Sequence, residues 1–234
     1  MNPPSDSTPP APGAGADWLL WQLADSAFPL GGFAHSGGLE AAWQQGEVVG
    51  PDGVAGFIEV GLIQSARAAL PVVAAAHAEP RRAPELDAWC DAFLTNHVAN
   101  RASRLQGQAL MLACERSFGV GALTELRARS FDERWLGHLA PCFGAVTRLL
   151  EISRAASVRL FLYLQIRGVL AAAVRLGIIG PLEAQSVQHR LGPAAEAAAI
   201  FGTDLELDEL AQTAPVADLL QGAQDRLYSR LFQS

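Results

Sequence analysis

The sequence contains no lysine, because all 17 basic residues of the 234-residue chain are arginines. This absence excludes functions that depend on a lysine side chain. Among them are the Walker A loop of a nucleotide hydrolase, the Schiff base of a pyridoxal enzyme and the β3 lysine of a protein kinase. The chain is also rich in alanine and arginine, so compositional drift explains the absence better than selection against lysine.

Cysteine is scarce as well. The three cysteines are widely spaced and form no Cys-x-x-Cys pair; they are Cys90, Cys114 and Cys142. An odd number without paired spacing predicts reduced thiols in a cytoplasmic protein rather than a disulfide framework.

Long hydrophobic runs are missing too. The most apolar stretch, residues 160–176, is interrupted by Arg167 and Arg175, so we expect no membrane-spanning helix. Residues 1–16 are rich in proline, serine, glycine and alanine, without the basic start and apolar run of a signal peptide. They are predicted to be a disordered tail.

Charge is unevenly distributed along the chain, whose formal net charge is -7. Residues 1–100 carry 3 basic and 11 acidic groups, residues 101–175 carry 11 and 5, and residues 176–234 carry 3 and 8. An acidic chain is a poor general binder of nucleic acid. The arginine-rich middle indicates internal ion pairs or a surface for a protein partner.

Hydrophobic residues make up 50% of the chain, which is enough for a buried core. Their helical spacing, with proline and glycine at the boundaries, predicts one all-α domain of nine or ten helices over residues 17–234. No segment alternates in the manner of a strand. The predicted helices include a long one over residues 84–118, a central apolar one over 157–176 and a last one over 216–228.

The most distinctive local feature is a glycine-rich loop, residues 29–40, with four glycines between positions 31 and 38. Glycines permit positive φ and close approach of the backbone to a neighbour. No predicted strand precedes the loop and the nearest fixed cation in sequence is Arg67, so a structural or partner-facing role is favoured over a phosphate site. His35 and Ser36 are adjacent, an arrangement that seldom gives a catalytic pair, but an enzyme using this loop stays an alternative.

Few of the five histidines are spaced so that they could bind a metal together with another ligand. His138 and Cys142 are four residues apart, but Gly137 and Pro141 argue against the unbroken helix that joint ligation would need. We therefore predict no resident metal site, and leave open a transient contact with a divalent metal by His35 or by His138 with Cys142.

Two further features are candidate docking elements. The first is a polar stripe on the helix predicted over 84–118, where a solvated face is favoured over a docking seam; its members are His97, Arg101, Arg104 and Gln108. The second is the C-terminal segment, residues 228–234. Leu227, Tyr228, Leu231 and Phe232 are spaced as one face of a helical turn, so we expect it to be ordered only against the protein's own core or a partner groove.

Several of these blocks, in this order, resemble the UreF family of urease accessory proteins. The resemblance runs from Leu20 to Glu40 and from Thr95 to Leu110. It continues at His138, Pro141, Phe143 and Gly144, then at Arg175–Gly177 with Gly180–Pro181, and ends on Tyr228–Ser234. In the last block the family commonly has Arg or Cys where this chain has Gln233. The first and last blocks are highly specific.

The resemblance implies an all-helical, non-enzymatic assembly factor that forms homodimers in the cytoplasm. It would bind the accessory protein UreD (also called UreH), recruit the GTPase UreG and dock on apo-urease. Nickel and GTP would be handled by those partners, so the chain itself would need no cofactor. An alternative is a helical scaffold with no direct role in nickel transfer.

The resemblance also implies where partners bind, with no catalytic residue and no metal ligand in the set. In the loop the expected residues are Pro29, Gly31, Gly32, Phe33, His35, Ser36, Gly37 and Glu40, with His35 and Glu40 as its polar groups. On the stripe, as an interface or channel lining, they are Arg101, Arg104 and Gln108, with a buried structural network as the alternative. In the tail they are Tyr228, Ser229, Arg230, Leu231 and Phe232. Arg101, Arg104 and Arg230 are also candidates for an arginine that acts on the GTPase.

Overall fold

A computed structural model describes residues 14–234, with side chains from residue 17 onward. Within that range the chain is helical and contains no strand, which confirms the all-α prediction. It has twelve α-helices, so the expected nine or ten was too few. They are α1 Ala14–Ala24, α2 Leu39–Gln44, α3 Gly50–Arg67, α4 Ala69–Ala78, α5 Ala83–Phe93, α6 His97–Phe118, α7 Gly121–Asp132, α8 Leu139–Leu149, α9 Arg154–Arg175, α10 Pro181–Arg190, α11 Gly192–Asp204 and α12 Pro215–Gly222.

The predicted disordered tail, residues 1–16, lies outside the described residues except for its last three. Those three residues form the beginning of α1, which therefore starts three positions before the expected Asp17.

The helix predicted over 84–118 is two helices, α5 and α6. The break falls at residues 94–96, where the Asn96 side chain accepts hydrogen bonds from the amides of Val98 and Ala99. This is an N-cap, and an asparagine before an apolar periodic segment is the signal that marks it in the sequence. The additional helix α7 was not predicted, although Leu123, Leu126 and Ser130 give it a buried face.

The last helix was predicted to reach residue 228, but α12 ends at Gly222 and a short 3₁₀ turn follows over Gln224–Arg226. Beyond this turn the chain is not helical. Leu227, Tyr228, Leu231 and Phe232 consequently do not share a face, and only Phe232 is buried. The helical prediction for these residues was wrong because their backbone groups are bound by the glycine-rich loop, as described below.

The centre of the fold consists of α4, α8 and α9. Helices α4 and α8 approach so closely that a Cβ on Gly144 would lie 2.2 Å from the carbonyl oxygen of Val73, so this contact requires glycine. Helix α9 is long and apolar enough to cross a membrane by composition, but more than half of its most apolar window is buried by neighbouring helices. Helices α3 and α4 pass the same test only as a pair bent by 43°. Helix α9 thus positions the elements around it as the core helix of the bundle.

A candidate docking site of loop and tail

The glycine-rich loop and the C-terminal segment form a single site, although about 190 residues separate them in the sequence. The loop leads from a short 3₁₀ turn, Gly32–Ala34, into α2. Gly31, Gly37 and Gly38 have φ values of +73°, +65° and +90°, which other residues rarely adopt. At Gly38 a Cβ would lie 2.8 Å from Cβ of Gln221 on α12, so the loop can meet this helix only through a glycine.

Glu40 fastens the tail to the loop. Its Oε1 accepts a hydrogen bond of 2.6 Å from the amide of Leu231, and its Oε2 accepts one of 3.0 Å from the amide of Phe232. The side-chain amide of Gln224 donates to the same Oε2 at 2.7 Å and to the Phe232 carbonyl at 3.2 Å. Glu40 and Gln224 are both buried. A buried carboxylate holding three donors fixes the path of the backbone over residues 231–232.

The end of the tail pairs with the loop through its backbone. The Gln233 amide donates to the Ala34 carbonyl at 2.8 Å. The Ser234 carbonyl oxygen accepts from the Ser36 amide at 2.6 Å and from the Ser36 hydroxyl at 2.7 Å. His35 Nδ1 and the Ser234 hydroxyl are joined by a hydrogen bond of 2.8 Å. Burial, aided by the nearby Arg101 charge, lowers the pKa of His35, which favours its neutral form at neutral pH.

This arrangement weakens the hydrolytic alternative. The Ser36 hydroxyl is buried and donates to the tail, while the His35 ring is bonded to Ser234 rather than to Ser36. A nucleophile needs a base within hydrogen-bonding reach, and neither side chain serves the other in this way.

An ion-pair network secures the other side of the tail. Arg101 on α6 makes two hydrogen bonds of 2.9 and 3.0 Å to the Asp225 carboxylate and a weaker one of 3.4 Å to the Gln233 carbonyl. Arg230 also donates to Asp225, at 2.9 Å, and His97 lies 3.3 Å from it. The hydrogen bonds from Arg101 are the main reason that the pKa of Asp225 falls to about 2. Arg230 is therefore engaged within its own chain.

Arg175, at the end of α9, connects the loop to the tail through aromatic rings. Its guanidinium lies 3.8 Å from the ring centre of Phe33 and 4.4 Å from that of Phe232, and it donates to the Phe33 carbonyl at 2.6 Å. A planar guanidinium suits such stacked contacts.

The predicted binding residues now divide by exposure. Ser36, Glu40 and Phe232 are buried, so Glu40 is not the polar group of an exposed surface that was expected. Its role is to hold the tail from beneath. Three large aromatic or aliphatic groups of the site are exposed: Phe33 is 74% accessible, Leu231 is 52% accessible and Tyr228 is fully accessible. Pro29, Gly31 and Ser229 are also at the surface, and Gly32 is partly covered.

The polar stripe does not act as a unit. Arg101 reaches the tail at the Gln233 carbonyl, and His97 lies beside Asp225, which pairs with Arg230 of the tail. Arg104 instead belongs to the surroundings of Asp91 and His138, and Gln108 donates to the Leu136 carbonyl at 2.8 Å. The loop and tail site thus takes only the N-terminal half of the stripe, where 66% of the His97 side chain and 41% of the Arg101 side chain stay accessible.

Elsewhere, His138 is fully buried, with Nδ1 3.2 Å from the Ser103 hydroxyl and Nε2 3.4 Å from Asp91. Within residues 14–234 no three histidine, cysteine, aspartate or glutamate side chains are grouped to hold a metal ion. The cysteines there are free, and burial raises the pKa of both Cys90 and Cys114 to about 12, which suppresses their reactivity.

Three residues of the site escaped the sequence analysis: Arg175, Gln224 and Asp225. Arg175 lies inside one of the blocks that carry the family resemblance, and this was a usable signal. Gln224 and Asp225 lie outside those blocks, in the short 3₁₀ turn after α12, where neither spacing nor residue type predicts that Gln224 is buried or that Asp225 is paired.

Comparison with known proteins decides the family. The family model named UreF matches residues 48–192. This chain belongs to the UreF family of urease accessory proteins. It is 38% identical to the urease accessory protein F of Arabidopsis thaliana, over 93% of this chain and 92% of that protein. It is 37% identical to the urease accessory protein F of Oryza sativa subsp. japonica, over 92% of this chain and 84% of that protein.

A further relative is more distant. The urease accessory protein UreF of Trichodesmium erythraeum is 29% identical over 91% of this chain and 94% of that protein. The family resemblance drawn from the sequence is therefore confirmed. The family model itself covers the helical body between the loop and the tail, and neither of those two segments.

Proposed function

We propose that this protein, as a member of a family of urease accessory proteins, is a scaffold for nickel insertion rather than an enzyme. In this proposal it acts in the cytoplasm as a homodimer and binds UreD through the loop and tail site. That complex recruits UreG and docks on apo-urease. Nickel and GTP are handled by the partners, so the chain itself carries no cofactor.

One observation carries the proposal: the short tail is held in place at the surface by a buried carboxylate, two arginines and a set of glycines with positive φ. Tyr228 contributes its whole side chain to solvent, and Leu231 contributes about half. Exposed aromatic and aliphatic groups on a rigid backbone are the anchors that protein interfaces favour. The backbone beneath them is fixed by Glu40 and Asp225, so little ordering entropy remains to be lost on binding.

The sharpest test is Tyr228→Ala. Because this side chain touches nothing within its own chain, we expect the variant to keep its helical circular dichroism and melting temperature. Copurification with UreD should fall at least tenfold, as expected for an aromatic anchor at the centre of an interface. The matched control is Leu182→Ala on α10, a side chain that is 87% accessible and lies outside the site. Equal recovery of UreD with the two variants would refute the assignment of the surface.

A second experiment addresses the role in maturation. Apo-urease is matured with UreD, UreG, GTP and nickel, with this chain present or omitted, and the nickel bound to urease is measured. We expect nickel incorporation to depend on the chain and to be lost with Tyr228→Ala. Full incorporation without the chain would favour the alternative of a helical scaffold with no direct role in nickel transfer.

The same reconstitution distinguishes the candidate arginines. Arg230 is paired with Asp225 and Arg104 lies away from the tail, so alanine variants of the two probe different surfaces. If UreG turns over GTP with both variants at the same stimulated rate as with the unaltered chain, neither arginine acts on the nucleotide.

A further inference from the structure

A long cleft follows α9 on the side that faces α6. Its larger part has a volume of about 680 Å³ and opens beside the glycine-rich loop. A smaller part of about 160 Å³ adjoins the larger one away from the loop, and we call it the inner end. The two parts have five lining residues in common, which are Ala69, Ala99, Ser103, Leu139 and Phe161. From Arg175 to Phe161 the cleft runs along fourteen residues of helix, or about 21 Å at 1.5 Å per residue.

Small side chains on the facing helices leave this space open. Helix α6 contributes Ala99, Ala102 and Ala109, while α9 contributes Gly168 and Ala172. A Cβ at Gly168 would meet nothing within 4 Å, so close packing does not require glycine there. In the interior of a helix glycine is about 1 kcal/mol less favourable than alanine. Glycine at position 168 therefore leaves the cleft open, although it lowers the stability of helix α9.

The two ends of the cleft differ in chemistry. Arg167 and Arg175 line its outer part, and no carboxylate lies within 4.0 Å of either among residues 14–234. Their identified acceptors are neutral carbonyls, those of Ala24 and Phe33. The inner end is lined by aromatic and aliphatic groups, including Trp89, Phe93 and Phe161.

We propose that this cleft binds a linear amphipathic anion, with an alkyl chain along α9 toward Trp89 and an anionic head at Arg167 and Arg175. The volume lies within the range of about 300–1,000 Å³ that is typical of small-molecule sites. Two arginines without carboxylate partners complement a negative head group and repel a divalent cation, so the ligand is not the metal of urease. A carboxylate and a phosphate monoester both meet these requirements.

Binding to the full chain is measured by calorimetry at concentrations below micelle formation. The probes are dodecanoate, dodecyl phosphate and, as the cationic control, dodecyltrimethylammonium. We expect saturable binding of at least one of the two anions, at least tenfold tighter than that of the cation. The tighter of the two anions identifies the head group. Equal affinities for anions and cation, or no binding of either anion, would overturn the proposal.

Two variants locate the binding site. Gly168→Leu places a side chain in the cleft, at a position where a Cβ meets nothing within 4 Å, and should weaken binding at least tenfold, whereas Gly56→Leu on α3, equally open around its Cβ but outside the cleft, should leave it unchanged. Arg167→Gln removes one positive charge and should weaken the binding of the anions by about tenfold, as expected for the loss of a charge-assisted hydrogen bond. If Gly168→Leu does not fold, Arg167→Gln decides alone. Unchanged anion binding in the folded variants would place the ligand elsewhere.

The direction of the alkyl chain has its own readout. A dodecanoate with bromine at its far end quenches tryptophan fluorescence on close contact. Trp89 lines the inner end of the cleft, so we expect quenching that disappears in Trp89→Phe while binding measured by calorimetry persists. Quenching that survives in this variant would mean that the chain does not reach the inner end.

Discussion

Replacing Glu40 with glutamine tests the loop and tail site at its most sensitive point. Glutamine keeps the volume of the side chain but replaces one acceptor oxygen with an NH₂ group. In the structure two amides and the Gln224 side chain donate to the carboxylate. The new NH₂ group would face the Leu231 amide if it replaced Oε1, or the Phe232 amide and the Gln224 side chain if it replaced Oε2, so at least one donor would meet another donor.

The magnitude follows from these contacts. Charge-assisted hydrogen bonds contribute about 1.5–3 kcal/mol each, and a buried donor left without a partner costs about 1–3 kcal/mol. We therefore expect Glu40→Gln to destabilise the docked tail by about 2–4 kcal/mol. At 1.4 kcal/mol per factor of ten, the population of the detached tail rises roughly 30- to 1,000-fold. The helical core does not depend on this contact, so the melting temperature should change little.

Hydrogen exchange of the Leu231 and Phe232 amides measures this population directly, because both amides are protected by Glu40 itself. Their protection factors should fall by the same 30- to 1,000-fold, while those of α4 and α8 stay constant. Glu47→Gln, on the exposed side of the same region, is the matched control and should change neither. Unchanged protection of the tail in Glu40→Gln, or an equal loss throughout the core, would refute the reasoning.

Three further changes probe the same site. Gly38→Ala should lower the melting temperature by roughly 5 °C, because its φ of +90° and its 2.8 Å contact with Gln221 together cost about 2 kcal/mol, and differential scanning calorimetry would show this. The lowered pKa of His35 means that the detached tail binds more protons, so tail protection should decline as the pH falls below about 6.5 and should do so less in His35→Asn. Asp225→Asn removes the pairs with Arg101 and Arg230 and should raise tail opening roughly fivefold in the same exchange experiment, as for exposed ion pairs worth about 1 kcal/mol; an effect below twofold would show that these ion pairs do not hold the tail.

The all-helical fold was predictable because the period of the apolar residues and the positions of proline and glycine act locally. Proline indeed lies in the first turn of α10, α11 and α12. The predictions that failed were those of helix boundaries that are set by single hydrogen bonds. The apolar spacing continues across residues 94–96, and only the cap by Asn96 interrupts the helix there.

The tail shows the limit of periodicity more clearly. The spacing of Leu227, Tyr228, Leu231 and Phe232 suits a helix, but a helix would use the amides of residues 231 and 232 for its own hydrogen bonds. In the structure those amides are taken by Glu40, about 190 residues earlier in the chain. A contact of this range leaves no periodic trace, so the sequence identified both partners of the site without revealing that they meet. The family resemblance likewise identified the loop and the tail only as separate blocks, and it did not reveal that they meet.

The absence of lysine acquires a structural meaning at this site. Arg101 contacts both oxygens of Asp225 and the Gln233 carbonyl, which requires several donors held in one plane. Arg175 lies against two phenyl rings while it donates to a carbonyl, and a flat delocalised cation is suited to this. An ammonium group at either position would be a single point of charge and could not join loop, helix and tail at once. Drift toward arginine explains the composition of the chain, and the site depends on the geometry that arginine supplies.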